Sequence, residues 1–158
     1  MRKLFAKLLE DEMSKNEDIF LITADLGYGL WDNIREYFPK RAINVGSAEQ
    51  LALGACVGLA MENKIPVFYS ITPFAICRPF ELIRNYVDHE EIPVKIIGGG
   101  RDKDYGYLGF SHWGTDDKSI LSGFSNLNVR HPTSEEELAN ITPEILYNKR
   151  PEYLNLSK

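Results

Sequence analysis

The stretch NVGSAEQL, residues 44–51, places a carboxylate, Glu49, where an apolar segment runs through glycine and serine into an alanine-rich helix. As a helix start this needs no chemistry: Ser47 would serve as N-cap and Glu49 would meet the positive end of the macrodipole in the first turn. A second concentration of reactive types lies in GGGRDKDYGYLGFSHWG, where Tyr105, Tyr107, Phe110, His112 and Trp113 crowd a polar, glycine-rich connection. A loop of that length and aromatic content reads as a binding loop. His131 closes a strand-like run, LNVRH, and stands where a substrate contact is expected. Asp102, Asp104, Asp116 and Asp117 read as loop or cap residues, and no metal ligand set is recognised.

Other chemistries fit poorly. The glycine run is not G-x-G-x-x-G opening a helix, and G-x-x-x-x-G-K-[ST] is absent. Ser111 and His112 are adjacent, which does not make a nucleophile and its base, and there is no nucleophile elbow. Cys56 sits within the apolar helix as a core residue, and Cys77 has no base beside it in sequence. Formal net charge is −5 and no basic run occurs, which argues against nucleic acid as a partner. No apolar run spans a membrane, and the amino terminus turns charged too early for a secretory signal, so a cytoplasmic location is expected.

The elements that must position these residues alternate along the chain. Leu4, Phe5, Leu8, Leu9 and Met13 recur at helical spacing; IFLITA (19–24) and AINV (42–45) read as strands, with a helix around Trp31, Ile34 and Phe38 between them. A long helix follows from about Ala48 to Met61, then a strand, PVFYSI, a helix, FELIRNYVDHEE, and a strand, PVKIIGG. The stretch ITPFAICR between them reads as a loop. A weak helix at 117–123, the strand LNVRH, a helix from Thr133 and a last strand, YLNLS, complete the series. Apolar strands separated by helices imply a three-layer α/β domain over residues 1–158, with a doubly wound, mostly parallel sheet of about six strands. Ligands of such sheets bind at the carboxyl ends of the strands, so DLGYG, VGSAE, ITPFAICR, the glycine-rich loop and RHPTS form the expected functional edge.

Taken together and in order, N-V-G-x-A-E-Q (44–50), F-A-x-x-R (74–78) and G-x-S-H (109–112) resemble the pyrimidine-binding domain of transketolase-like, thiamine-diphosphate-dependent enzymes. The resemblance extends over nearly the whole chain. It implies that Glu49 hydrogen-bonds N1′ of the cofactor's aminopyrimidine, and that Phe74 stacks on that ring. The cofactor then supplies the carbanion chemistry, and the protein supplies placement and tautomer control. By the same resemblance, Ile71 and Tyr69 line the pyrimidine pocket, Asp25 lies near the entrance for cofactor or substrate, and Arg78 and His112 face substrate. Glu49 and His112 are the residues given catalytic roles.

The departures shape the expectation further. No G-D-G motif is present, so the resemblance implies that Mg²⁺ and the diphosphate are held by a separate chain resembling the amino-terminal part of transketolase. A homodimer core within a heterotetramer, two of each chain, is the assembly expected by analogy. Pro73 before Phe74 and Trp113 after His112 set the channel apart from that of sugar-phosphate transketolases. The reading is a subunit of a split transketolase that moves two-carbon ketol units between sugars or sugar phosphates. The alternatives are a subunit of a two-chain 2-oxoacid decarboxylase and a non-catalytic module that keeps the fold.

Overall fold

Six short apolar runs become the strands of one sheet in the computed structural model, which describes residues 1–158. They are β1 (Ile19–Thr23), β2 (Ala42–Asn44), β3 (Ile65–Ile71), β4 (Lys95–Gly99), β5 (Asn128–Arg130) and β6 (Glu152–Leu156). The order across the sheet is β2-β1-β3-β4-β6-β5, and every neighbouring pair is parallel. The expected mostly parallel sheet is thus parallel throughout, which requires a crossover for each strand and explains the regular alternation with helices.

The side chains of β3 show how the layers form. Val67 and Tyr69 enter a core shared with α1 (Arg2–Lys15), α2 (Asp32–Tyr37) and α7 (Glu135–Tyr147). Phe68 points the other way, into a core with α3 (Glu49–Met61), α4 (Thr72–Cys77) and α6 (Asp117–Leu121). Strand periodicity thus divides one apolar run between two cores. In α3 the small residues Ala52, Cys56 and Ala60 are all buried against the sheet. Leu51 and Met61 on the same helix remain exposed.

Three local details differ from the sequence reading. Ser47 does not cap α3: it is exposed, Ala48 holds the N-cap position, and no side chain caps the helix. The tight turn Ala48 N–H to Gly46 O, with Gly46 at φ 77°, delivers the chain into the helix instead. ITPFAICR is a helix, α4, that follows β3 without a connecting loop. Pro73 is compatible with it because a first-turn residue has no intrahelical partner for its N–H. FELIRNYVDHEE begins as a short turn, α5 (Phe80–Leu82), and continues as a π-helix, Ile83–His89, that buries Ile83 and Val87.

The two edges of the sheet differ in chemistry. At the amino edge, Lys95 lies opposite Glu152, and both are buried. Lys95 Nζ donates to Asn148 O, Asn148 Oδ1 and Arg150 O at 2.8, 2.9 and 2.6 Å, closing the end of α7. Burial draws the Lys95 ammonium down to about 8. At the carboxyl edge the winding reverses between β1 and β3, and the loops there carry the residues singled out above. No helix is long and apolar enough to cross a membrane.

Candidate functional site

β2 delivers the start of α3, β3 delivers α4, and the loop after β4 folds back over both. That loop is held shut by a bridge between Asp102 and Gly114, and it contains two 3₁₀ turns, Gly106–Leu108 and Phe110–His112. Its closure brings His112 to Phe74, their rings 4.9 Å apart and inclined at 68°. Arg78 follows Phe74 by four residues, and its guanidinium carbon stands 3.7 Å from the centre of the Phe74 ring. Arg78 Nη1 then donates to Glu49 Oε1 at 2.6 Å. The result is a continuous row, Glu49, Arg78, Phe74 and His112, drawn from three separate segments.

The row is graded in exposure. Glu49 is 3% exposed, whereas the Arg78 side chain is 46% exposed and opens to solvent. A carboxylate at that depth needs a donor, and Arg78 is its side-chain partner here. His112 carries a further contact, its Nδ1 lying 3.0 Å from Ser111 Oγ. The site thus offers a buried hydrogen-bond acceptor, an aromatic face and an imidazole in sequence from the interior outward.

Beneath the row lies a buried polar floor that sequence reasoning missed. Asp117 Oδ2 accepts from Tyr153 OH and Asn155 Nδ2, both at 2.9 Å, and lies 2.8 Å from His131 Nε2. Asn155 Nδ2 also reaches Thr72 Oγ1 at 3.1 Å, and Thr72 Oγ1 donates to Gly100 O at 2.7 Å. Thr72 is the first residue of α4, so the floor ends on the helix that carries Phe74 and Arg78. Burial pushes the Asp117 carboxyl up, but the hydrogen bond and charge of His131, with Tyr153 and the Lys118 N–H, outweigh it. Its titration lies below the ordinary carboxylate value. Tyr153 is held well above the ordinary phenol value by burial and by the Asp117 charge.

Glycines make the floor possible. A Cβ on Gly98 would stand 2.7 Å from Tyr153 OH and 2.9 Å from Thr72 Oγ1. At Gly98 the glycine run, which fits no phosphate-loop motif, serves close packing. One sequence signal did point at the floor: Asn155 is a polar residue inside a strand-like apolar run, an environment that normally excludes asparagine.

The remaining sequence candidates fall elsewhere. His131 is mostly buried and committed to Asp117 rather than placed beside His112. Asp25 is exposed in the left-handed region, at φ 54°, where it accepts a hydrogen bond from Tyr28 OH. Its own N–H donates to Asn44 Oδ1 at 2.8 Å. Ile71 shares the α1 and α7 side of the sheet with Tyr69, which packs edge-on against Trp31 at 4.9 Å. Both border an open cleft of about 790 Å³ with Leu26, Tyr28 and Tyr105. The candidates thus sort into the Glu49–His112 row, the floor that holds His131, and the rim of this cleft with Ile71, while Asp25 stands on the turn after β1. No group of three or more His, Cys, Asp or Glu side chains gathers to hold a metal ion.

The chain is similar to known proteins in sequence and in fold. The family model for the transketolase pyrimidine binding domain matches residues 1–158. An apulose-4-phosphate transketolase chain of Actinobacillus succinogenes, named as one of that enzyme's subunits, is 34% identical over 75% of this chain and 38% of its own length. A 6-deoxy-6-sulfo-D-fructose transketolase subunit of a Clostridium species is 29% identical over 99% of this chain and 49% of its own. Among solved structures, a split-gene transketolase described as an inactive beta4 tetramer superposes with a TM-score of 0.86. It shares 27% sequence identity over 99% of this chain and 50% of that one. The chain therefore spans half or less of the length of each of these relatives.

Proposed function

This chain belongs to the transketolase pyrimidine-binding domain family, and from that premise we propose that it is the pyrimidine side of a split, thiamine-diphosphate-dependent transketolase. It transfers two-carbon ketol units between sugar or sugar-phosphate substrates, and it is active only with a diphosphate-binding partner chain. The observation that carries this reading is the row itself: a buried carboxylate, an aromatic face and a histidine meet at the carboxyl edge of the sheet.

The residues suit one half of the cofactor. Glu49 offers a buried acceptor to a planar nitrogen heterocycle, and the half-buried Phe74 ring offers a face to stack on. On this reading Mg²⁺ and the diphosphate are assigned to the partner chain. Exposed apolar side chains on α3 (Leu51, Met61) and on the loop after β4 (Tyr107, Phe110) support its being covered by another chain. The relatives named as subunits support the same arrangement.

Bound thiamine diphosphate supplies the carbanion chemistry that breaks and makes the carbon–carbon bond. With the cofactor bound, Glu49 would hydrogen-bond the aminopyrimidine N1′ and hold a proton there. Phe74 fixes the ring plane and excludes water from it. His112, at the outer end of the row, hydrogen-bonds substrate oxygens, and Arg78 pairs with an anionic substrate group. Ile71 borders the cleft on the α1 and α7 side of the sheet, Asp25 sits after β1 against Asn44 and Tyr28, and His131 acts through Asp117 on the floor.

The test combines the chain with a diphosphate-domain partner, thiamine diphosphate and Mg²⁺, and assays ketol transfer. Glu49→Gln is expected to lower kcat by about 10²-fold or more, the usual worth of a positioned acid–base group. Undiminished activity in both Glu49→Gln and Glu49→Ala refutes the assignment. Turnover of 2-oxo acids in place of sugar phosphates identifies a decarboxylase instead.

A further inference from the structure

The location of the Arg78 guanidinium is more informative than its having a partner. A ring that hydrogen-bonds Glu49 and stacks on Phe74 must lie between Glu49 Oε1 and the Phe74 face. Arg78 already lies there, 2.6 Å from the carboxylate oxygen and 3.7 Å from the ring centre. A guanidinium is planar, presents N–H donors in its plane and stacks on aromatic faces. Those are the properties that the slot selects in an aminopyrimidine. Both groups cannot occupy it at once.

We propose that Arg78 is an internal stand-in for the aminopyrimidine: it fills the slot between Glu49 and Phe74 until the cofactor expels it. This rests on the functional reading above and adds a role for Arg78 that precedes any contact with substrate. Two features let the exchange proceed. Arg78 is the helix-ending residue of α4, with a side chain already 46% exposed, so it can swing outward without disturbing the core. Glu49, 3% exposed, is never left without a donor, because the incoming ring replaces the one withdrawn. Cofactor binding therefore costs the enzyme one charge-assisted hydrogen bond and one cation–π contact, and it frees a cation at the mouth of the site beside His112. The device prevents a buried acid from standing bare while the cofactor is absent.

The consequence has a definite sign. A slot open for only a fraction of the time weakens apparent affinity by that fraction. Removing the stand-in should therefore tighten cofactor binding, whereas deleting a residue that merely supports the site would weaken it. The experiment is calorimetric titration of thiamine diphosphate, at saturating Mg²⁺, into the assembly of this chain with its diphosphate-domain partner. Wild type, Arg78→Ala and Arg78→Lys are compared, with far-ultraviolet circular dichroism and the thermal midpoint confirming that each is folded. Arg78→Ala should lower Kd by roughly 10-fold, as expected for a slot about nine-tenths filled. Arg78→Lys, which keeps the charge near Glu49 but cannot stack as a plane, should fall between Arg78→Ala and wild type. Unchanged or weaker binding in folded Arg78→Ala overturns the inference and leaves the functional reading intact, provided Glu49→Gln still weakens binding. Absence of binding by the wild-type assembly overturns both.

Discussion

Asp117→Ala tests whether the floor beneath α4 stabilises the fold. In the wild type, Asp117 is 4% exposed and its Oδ2 engages His131, Tyr153 and Asn155 together. Asn155 Nδ2 survives the change with partners, because Thr72 Oγ1 and Tyr153 OH remain at 3.1 and 3.2 Å. The Tyr153 hydroxyl and the His131 ring lose their acceptor in a site too buried for water to replace it freely. Two orphaned donors at about 1–3 kcal/mol each, partly offset by relief of the carboxylate's own burial cost, give a loss of about 3 kcal/mol. For a domain of this size that corresponds to a fall in Tm of about 6–12 °C. Urea unfolding followed by fluorescence measures it directly, since the fully buried Trp31 reports the loss of the core. The pH dependence fixes the cause. Asp117 titrates lower folded than unfolded, so its stabilisation is fully present above the unfolded value near 3.9 and is lost as pH falls through the folded one. The gap between wild type and variant should narrow in acid accordingly. His131→Ala in the Asp117→Ala background should cost less than it does alone. A loss below about 1 kcal/mol, or strict additivity of the two changes, would refute the reasoning.

At the opposite edge, Lys95 releases its proton near pH 8 in the folded chain but only near 10.4 when unfolded. On that group's account, stability should rise between those values, because the unfolded state binds the extra proton. Urea midpoints at pH 7.5 and 9.5 should show the rise in wild type and not in Lys95→Met. Gly98→Ala should destabilise by about 1–3 kcal/mol, since its Cβ meets Tyr153 and Thr72. Calorimetric unfolding checks this, and retention of the wild-type Tm would show that the floor can move aside.

The fold was legible because its signals are local. Most strands are short apolar runs and the longer helices have their own period, so class and layering emerge without long-range information. Glu49 was legible for the same reason, as the acid at a strand-to-helix junction. The floor was not, because Thr72, Asp117 and Asn155 come from three distant segments that only the sheet order brings together. Asp117 looks like any acid at a helix start. The partnership of Arg78 with Phe74 was within reach, since residues four apart on a helix are neighbours. It was concealed because ITPFAICR read as one of the loops at the carboxyl ends of the strands.

The strand order also dictates how the domain can be assembled. β6, the last strand in sequence, inserts between β4 and β5 rather than adding at an edge. Until it arrives, β4 and β5 each present an unpaired row of backbone groups, the kind of edge on which chains pair wrongly. Its partner residues lie far back in the chain, Lys95 opposite Glu152 and Gly99 opposite Leu156, so closure is a slow, non-local event. Tyr153 and Asn155 travel on that strand. The floor is therefore completed only when β6 docks, and a chain arrested before that step would lack the hydrogen bonds that hold Thr72 at the start of α4.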